Sequence, residues 1–273
     1  MSAFNAVVQK ELRDAARSRW LLGFAATFAI TALAIALAQA QGGEGDQGFN
    51  RTTAGLVNLC LLLVPLLALV LGAGAVAGER ERGTLASLLA QPISATELLV
   101  GKYVGLTIAV WGAIALGFGV AGVLIALLRP VAGIGGYALF VLLSAGLATT
   151  MLSLGVLMSV WSASRMQALA IAIVLWFALV LFYDLAAIGV ALAIAPSGQT
   201  LVLAVLANPV EAARILAVIG LDPDLRVLGP LGAYLVNEVG VRTTTALLVG
   251  ALLLWTALPL ACAARILGRQ DYA

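Results

Sequence analysis

Six apolar runs, each long enough to cross a hydrocarbon core of about 30 Å as a helix, leave this chain little choice of fold. Inside lipid every backbone donor and acceptor must be satisfied within the segment, so runs of this length become α-helices. They lie at about 21–39, 56–77, 103–128, 137–161, 167–195 and 244–267. Composition agrees: 63% of residues are hydrophobic and 10% charged, against roughly 45–50% and 25% in ordinary soluble domains. The chain therefore reads as an all-α polytopic membrane protein, with residues 1–273 forming a single transmembrane domain.

What is missing narrows the chemistry. The sequence contains no histidine, which removes Ser-His and Cys-His nucleophilic pairs, HExxH zinc sites and histidine proton relays together. A net charge of +2 with scattered basic residues does not describe a nucleic-acid binder. Cys60 and Cys262 both lie in apolar runs, where cysteine behaves as a small hydrophobe. No GxxxxGK[ST] phosphate loop occurs, so ATP is not bound by that route. Asp184 is the one ionisable residue placed well inside the apolar runs, unlike the paired acids and bases of ion-coupled carriers. It lies 17 positions beyond Gln167, about 26 Å along a helix axis, which places it near the far interface. Met151 and Met158 share a face of the fourth span and are the candidate soft-metal thioethers, although core packing explains them as well. Ser144, Ser153 and Ser159 suit helix packing, since no general base accompanies them.

In chain order, residues 2–20 predict an amphipathic helix in the membrane interface, with Phe4, Val8, Leu12 and Ala15 opposite Lys10, Arg13, Asp14 and Arg17. The second span carries Pro65, and Gly74 and Gly78 are spaced for close helix contact. The fifth run, 167–195, would be about 43 Å long as one helix, so it must break, tilt or project. Residues 196–243 form the largest segment between spans. Within it Asn208 caps a helix with Pro209 at its first position and Glu211 in its first turn, running from Pro209 to Ile219. Six spans put both termini on one side. Ten of the fifteen Lys and Arg residues fall on that side, so by the positive-inside rule the termini are cytoplasmic and 196–243 is external.

The connection between the second and third spans, residues 78–102, reads GERERGTLASLLAQPISATELLVGK. Four consecutive charges, Glu79 to Arg82, cost roughly 2.5–3.5 kcal/mol each at a membrane centre and so end the span. Leu85, Leu88 and Leu89 then form one apolar stripe on a two-turn helix closed by Pro92. Ser94 and Glu97 are spaced as a capping box that starts the next helix. A stripe this small needs a partner to bury it, and a cytosolic docking partner is the expectation.

This connection, together with the N-terminal KELRDAARSRW and the six spans, resembles the ABC-2-type permease family, the membrane half of ATP-binding-cassette transporters. The resemblance implies that the connection is a coupling helix docking into an ATPase subunit, a role falling on Glu79, Glu81, Gly83, Thr84, Leu85, Leu88, Leu89 and Pro92. It further implies a homodimeric permease in a bacterial inner membrane, paired with two copies of a cytoplasmic ATPase that hold ATP and Mg, and no cofactor, metal or catalytic residue on this chain. A narrower likeness, in LWFALVLFYDL, LANPVEAARILAVIG and LLLWTALPL, is to the permeases of nitrous oxide reductase maturation systems, which implies a periplasmic partner and a link to copper delivery. Asn208, Pro209, Glu211 and Arg214 are the candidate contacts for that partner; Asp184, Met151 and Met158 are the candidates for a pathway. Absent histidine and scarce methionine suit transmission of motion better than a copper pore. An exporter of a lipid, drug or ion, and a membrane scaffold or intramembrane enzyme, are the alternatives.

Overall fold

The computed structural model describes residues 3–18, 21–23, 25–27, 29–30, 33–34, 48–90, 93–128, 134–193, 197–221, 225 and 228–269. All regular structure among them is helical. The N-terminal helix α1 spans Ala3–Ala16. Then come α2 (Gly48–Gly74), α3 (Ala77–Glu81), α4 (Thr84–Leu89), α5 (Ala95–Leu128) and α6 (Ile134–Trp161). A bundle-completing run comes next as α7 (Arg165–Trp176), a π-helical segment Phe177–Phe182, and α8 (Tyr183–Ala193). After α9 (Gly198–Ala207) and α10 (Pro209–Leu221) come α11 (Gly229–Tyr234), a second π-helical segment Leu235–Val239, and α12 (Val241–Leu267).

Among the described residues five helical stretches are long and apolar enough to cross a membrane: Asn58–Glu81, Ala95–Leu124, Gly135–Trp161, Arg165–Ala187 and Val241–Leu267. They match the second, third, fourth, fifth and sixth expected spans. The first expected span, 21–39, lies mostly outside the described residues, and those of its residues that are described are helical.

The helices α2 and α6 meet backbone to backbone. A Cβ added to Gly72 would stand 2.6 Å from the Leu152 carbonyl oxygen, and one added to Gly155 would stand 2.6 Å from that of Leu69. The two glycines face each other, so the backbones themselves touch, as small residues allow between helices in lipid. Sequence spacing pointed instead to Gly74 and Gly78. Both have only ordinary neighbours, from Arg165 and Arg82 side chains, because the helix ends at Gly74 and turns away.

That turn is held by a side chain. At Ala75–Val76 the chain leaves α2, and the freed N–H groups of Val76 and Ala77 both donate to Ser159 Oγ of α6, at 2.9 and 2.8 Å. Buried backbone donors need such partners, and Ser159, fully buried, supplies one for both. Further along, the Ser94–Glu97 capping box forms as expected: Ser94 N–H donates to Glu97 Oε2 at 3.0 Å and Glu97 N–H to Ser94 Oγ at 3.1 Å. The helix it starts runs without a break into the third span.

The overlong fifth run breaks into a π turn at Phe177–Phe182. Asn208 meets it, donating from Nδ2 to the Leu179 carbonyl at 2.7 Å while its Oδ1 accepts from Val210 N–H at 2.9 Å. Asn208 itself is extended, at φ −125° and ψ 113°, as the residue before a proline must be. This is the corner between α9 and α10, which meet at 113°. The helix expected at Pro209–Ile219 forms over Pro209–Leu221. Rather than standing clear of the bundle, it is folded in: Val210, Ala213 and Ala217 join the main core, and Ala212, Ile215 and Leu216 a second core with Leu225, Leu235 and Leu248.

Candidate functional site

The expected coupling corner, α3 to α4, is anchored by buried charge. Lys102 on α5 is 2% exposed and holds two carboxylates: Glu79 Oε1 of α3 at 2.7 Å and Glu11 Oε1 of α1 at 2.6 Å. Lys10 adds a second ammonium 2.7 Å from the same Glu79 oxygen and 3.3 Å from Glu11. Two cations and two anions thus alternate around one point where three elements meet. Burial acts to lower the Lys10 pKa, but the hydrogen bond to Glu79 and the charges of Glu11 and Glu79 outweigh it and leave the ammonium above its usual value. A Cβ at Gly105 would stand 2.8 Å from Glu11 Cβ and 2.9 Å from the Val8 carbonyl, so α1 lies directly on α5.

The α1 helix forms, and the stripe Phe4, Val8, Glu11 and Ala15 packs inward on α5, leaving Glu11 and Ala15 buried. Glu79, at 2% exposed, is an internal strut of the corner. Sequence reasoning missed Lys10, Glu11 and Lys102 as site residues. The signal was present in Glu11, an acid three residues after Val8 on the apolar side of α1.

A second tie fixes the corner to α6. The Arg80 guanidinium donates to the Ser162 carbonyl through Nη1 and to the Val160 carbonyl through Nη2 at 3.4 Å. A cation on the last carbonyls of a helix satisfies groups that lack partners and complements the dipole. Gly83, at φ +70°, makes the turn between α3 and α4, and Thr84 Oγ1 closes it by donating to the Glu79 carbonyl at 3.2 Å.

The leucine stripe turns inward too. Leu85 is 3% exposed and belongs to the chain's own core, with Leu88 packed partly against it. The apolar face of α4 finds its partner inside the bundle, and the corner shows outward Glu81, Arg82, Gly83, Thr84, Ala86 and Ser87. Pro92 and the Leu89 side chain lie outside the described residues.

At the opposite end of the bundle Asp184 and Arg214 form a two-armed ion pair, with Nη1 to Oδ1 at 3.0 Å and Nη2 to Oδ2 at 2.9 Å. Glu211 stands 2.8 Å from Arg214 Nη1, one turn earlier on α10. Asn208 and Pro209 are buried in the α9–α10 corner and show no surface to an outside partner; Glu211 and Arg214 are partly exposed. Met151 is wholly buried in the core and Met158 half-buried two turns on. Among the described residues no group of His, Cys, Asp or Glu is placed to hold a metal ion.

The α3–α4 corner and the Asp184–Arg214 cluster are joined through α6. Thr150 Oγ1 meets Thr256 Oγ1 at 2.9 Å, Ser153 Oγ donates to the Trp255 carbonyl at 3.3 Å, and Trp255 Nε1 donates to the Leu206 carbonyl of α9 at 3.0 Å.

A family model described as ABC-2 family transporter protein matches residues 5–272. The chain is 33% identical over 235 residues to the "Probable ABC transporter permease protein NosY" of Stutzerimonas stutzeri, covering 82% of this chain and 84% of that protein. It is 34% identical over 224 residues to the protein of the same name from Pseudomonas aeruginosa, covering 79% and 82%. A polytopic helical bundle, a charged corner between its second and third spans, and a family match over nearly the whole length agree: this chain is a membrane permease of the ABC-2 transporter family.

Proposed function

We propose that the chain is the permease subunit through which a separate ATPase, on the side of α1, drives movement across a bacterial inner membrane, with both termini cytoplasmic. The buried cluster of Lys102, Glu79, Glu11 and Lys10 carries this reading. It makes α3 one rigid piece with α1 and the start of α5, so a push on the outward face of the corner is shared by three elements at once. Separating Lys102 from Glu79, both at most 3% exposed, would strand a buried charge, at a cost of about 3–5 kcal/mol, which makes transmission stiffer than local yielding.

Ser159 and Arg80 pass the same displacement to α6, and the contacts of α6 with α10 and α12 pass it to the far side. There α10, fixed to α8 by Asp184 and Arg214, is the element whose position changes. Rigid-body tilting of packed helices is the established form of such motion. The docking surface is Glu81, Arg82, Thr84, Ala86 and Ser87, with the leucines behind it as its foundation.

By the likeness to nitrous oxide reductase maturation permeases, the assembly contains two copies of this chain, two ATPase subunits holding ATP and Mg, and a periplasmic partner concerned with copper-site assembly. The residues favour a mechanical part in that process, since Met151 is wholly buried in the core. Affinity purification of the chain from its native membrane, with identification of bound proteins, tests this. Recovery of an ATPase with a periplasmic protein supports the full proposal, an ATPase alone supports an exporter, and recovery of neither overturns it.

A further inference from the structure

Between α1, the α3–α4 corner, α5 and α7 lies an open cleft of about 840 Å³. Its two ends differ. Toward the bundle interior the wall is apolar, formed by Val70, Leu71, Leu106 and Leu169. At the mouth stand Arg82, Arg165, Ser18 and Ser87, with Lys10 and Glu79 of the buried cluster forming the floor. Arg82 and Arg165 converge over Gly78: a Cβ built there would lie 3.8 Å from Arg82 Nη1 and 3.7 Å from Arg165 Cδ.

Charge in the cleft is unevenly spent. Lys10 and Lys102 are neutralised by Glu11 and Glu79. Neither Arg82 nor Arg165 has an ion-pair or hydrogen-bond partner among the described residues, and Asp14 is the one further acid lining the space. Glu79 Oε2 is also buried without a hydrogen-bond partner, so a hydroxyl-bearing group lying against the floor would find an acceptor waiting. Two convergent guanidiniums fit phosphate oxygens with paired donors.

Depth then selects the source of the phosphate. On α7, which is unbroken here, Arg165 and Leu169 are four residues apart, about 6 Å along a helix, so the apolar wall begins one turn from the basic mouth. A space that is basic at its mouth and apolar one turn further in matches an amphiphile.

We propose that this cleft binds a phospholipid with an anionic, hydroxyl-bearing headgroup from the leaflet on the α1 side, its phosphate held by Arg82 and Arg165 and an acyl chain lying along Val70, Leu71, Leu106 and Leu169. The lipid bridges the α3–α4 corner to α7, two elements joined in that region by few direct polar contacts. Its binding does not depend on any ATPase.

The test is native mass spectrometry of the full chain in detergent, titrated with dioleoyl phosphatidylglycerol or dioleoyl phosphatidylcholine. The glycerol lipid should bind at least about ten-fold more weakly to the Arg82→Gln/Arg165→Gln variant, since each basic residue near a membrane surface contributes several-fold, while the choline lipid, whose ammonium opposes the two guanidiniums, should bind only weakly to either form. Equal loss in an Arg13→Gln/Arg17→Gln control, which removes the same charge elsewhere, would reduce the effect to bulk attraction and overturn the site. Displacement of the lipid by millimolar inorganic phosphate would overturn the lipid as occupant. Photoreactive phosphatidylglycerol on the unaltered chain gives a readout free of folding effects: labelling centred on 82–88 and 165–169 supports the site, and labelling elsewhere overturns it.

Discussion

Lys102 and Glu79 lie 2.7 Å apart with both side chains at most 3% exposed, and they join the third span to the corner that precedes it. Twenty-three residues separate them in sequence. Replacing Lys102 with Met leaves Glu79 facing only Lys10 and Glu11 facing only the distant arm of Lys10, and should destabilise the chain by about 3–5 kcal/mol. The double variant Lys102→Met/Glu79→Met should recover much of that loss, because a paired deletion strands less charge. Thermal unfolding of the detergent-purified chain, followed by loss of the monodisperse peak in gel filtration, measures both.

Ser159→Ala should cost about 1–3 kcal/mol for each backbone donor it strands, and Val76 and Ala77 are both served by that one oxygen. Ser159→Thr keeps the oxygen and should cost less. Amide hydrogen exchange at Val76 and Ala77 locates the effect: faster exchange confined to the corner is the expected result.

The glycine pair allows no larger residue. Gly155→Leu should prevent α2 and α6 from closing, and even Gly155→Ala forces backbone movement, costing about 1–3 kcal/mol as overpacking does. Gly112, which has nothing within 4 Å of an added Cβ, should accept alanine without loss. Comparing expression and thermal stability of the two alanine variants checks the contrast.

Docking of the ATPase should respond to the outward face of the corner and not to its leucines as such. Glu81→Arg combined with Ser87→Arg should weaken association about ten-fold or more while yield and unfolding temperature stay as they were. Leu85→Asp should lower the yield of folded chain instead, since Leu85 is 3% exposed and a buried carboxylate is costly. Parallel measurement of yield and co-purified ATPase separates the two effects.

At the end of the bundle away from α1 Arg214 faces two carboxylates and Asp184 one guanidinium. Arg214→Gln should therefore destabilise more than Asp184→Asn. Thermal unfolding of the two single variants gives the order, and the reverse order would mean that Glu211 does not depend on Arg214.

The helices were largely legible because a 19- to 29-residue apolar run has one solution in lipid. The capping box at Ser94 and Glu97 and the Asn208-Pro209 helix start were legible for the same local reason, each being settled within four residues. Direction was not. Leu85 and Leu88 were correctly seen to need burial, yet whether the bundle or another protein buries them depends on where α3 leaves α2, and that is set by Ser159, some 82 residues away. The buried cluster was hidden similarly: Glu11 and Lys102 are 91 residues apart, and alone each reads as an ordinary interfacial charge. Gly72 and Gly155 also find each other only through tertiary register.

The π turn at Phe177–Phe182 carries a consequence for chain length. Such a turn holds one residue more than an α-helix of the same rise, and each residue rotates the downstream helix by about 100°. The wider turn absorbs that surplus, so Asp184 still faces Arg214. Wound as ordinary α-helix, the same residues would carry the carboxylate about a quarter-turn off its partner, with Asn208 left over a carbonyl no longer offered to it. The Asp184–Arg214 pair is thus governed as much by how the preceding residues are wound as by which ones they are.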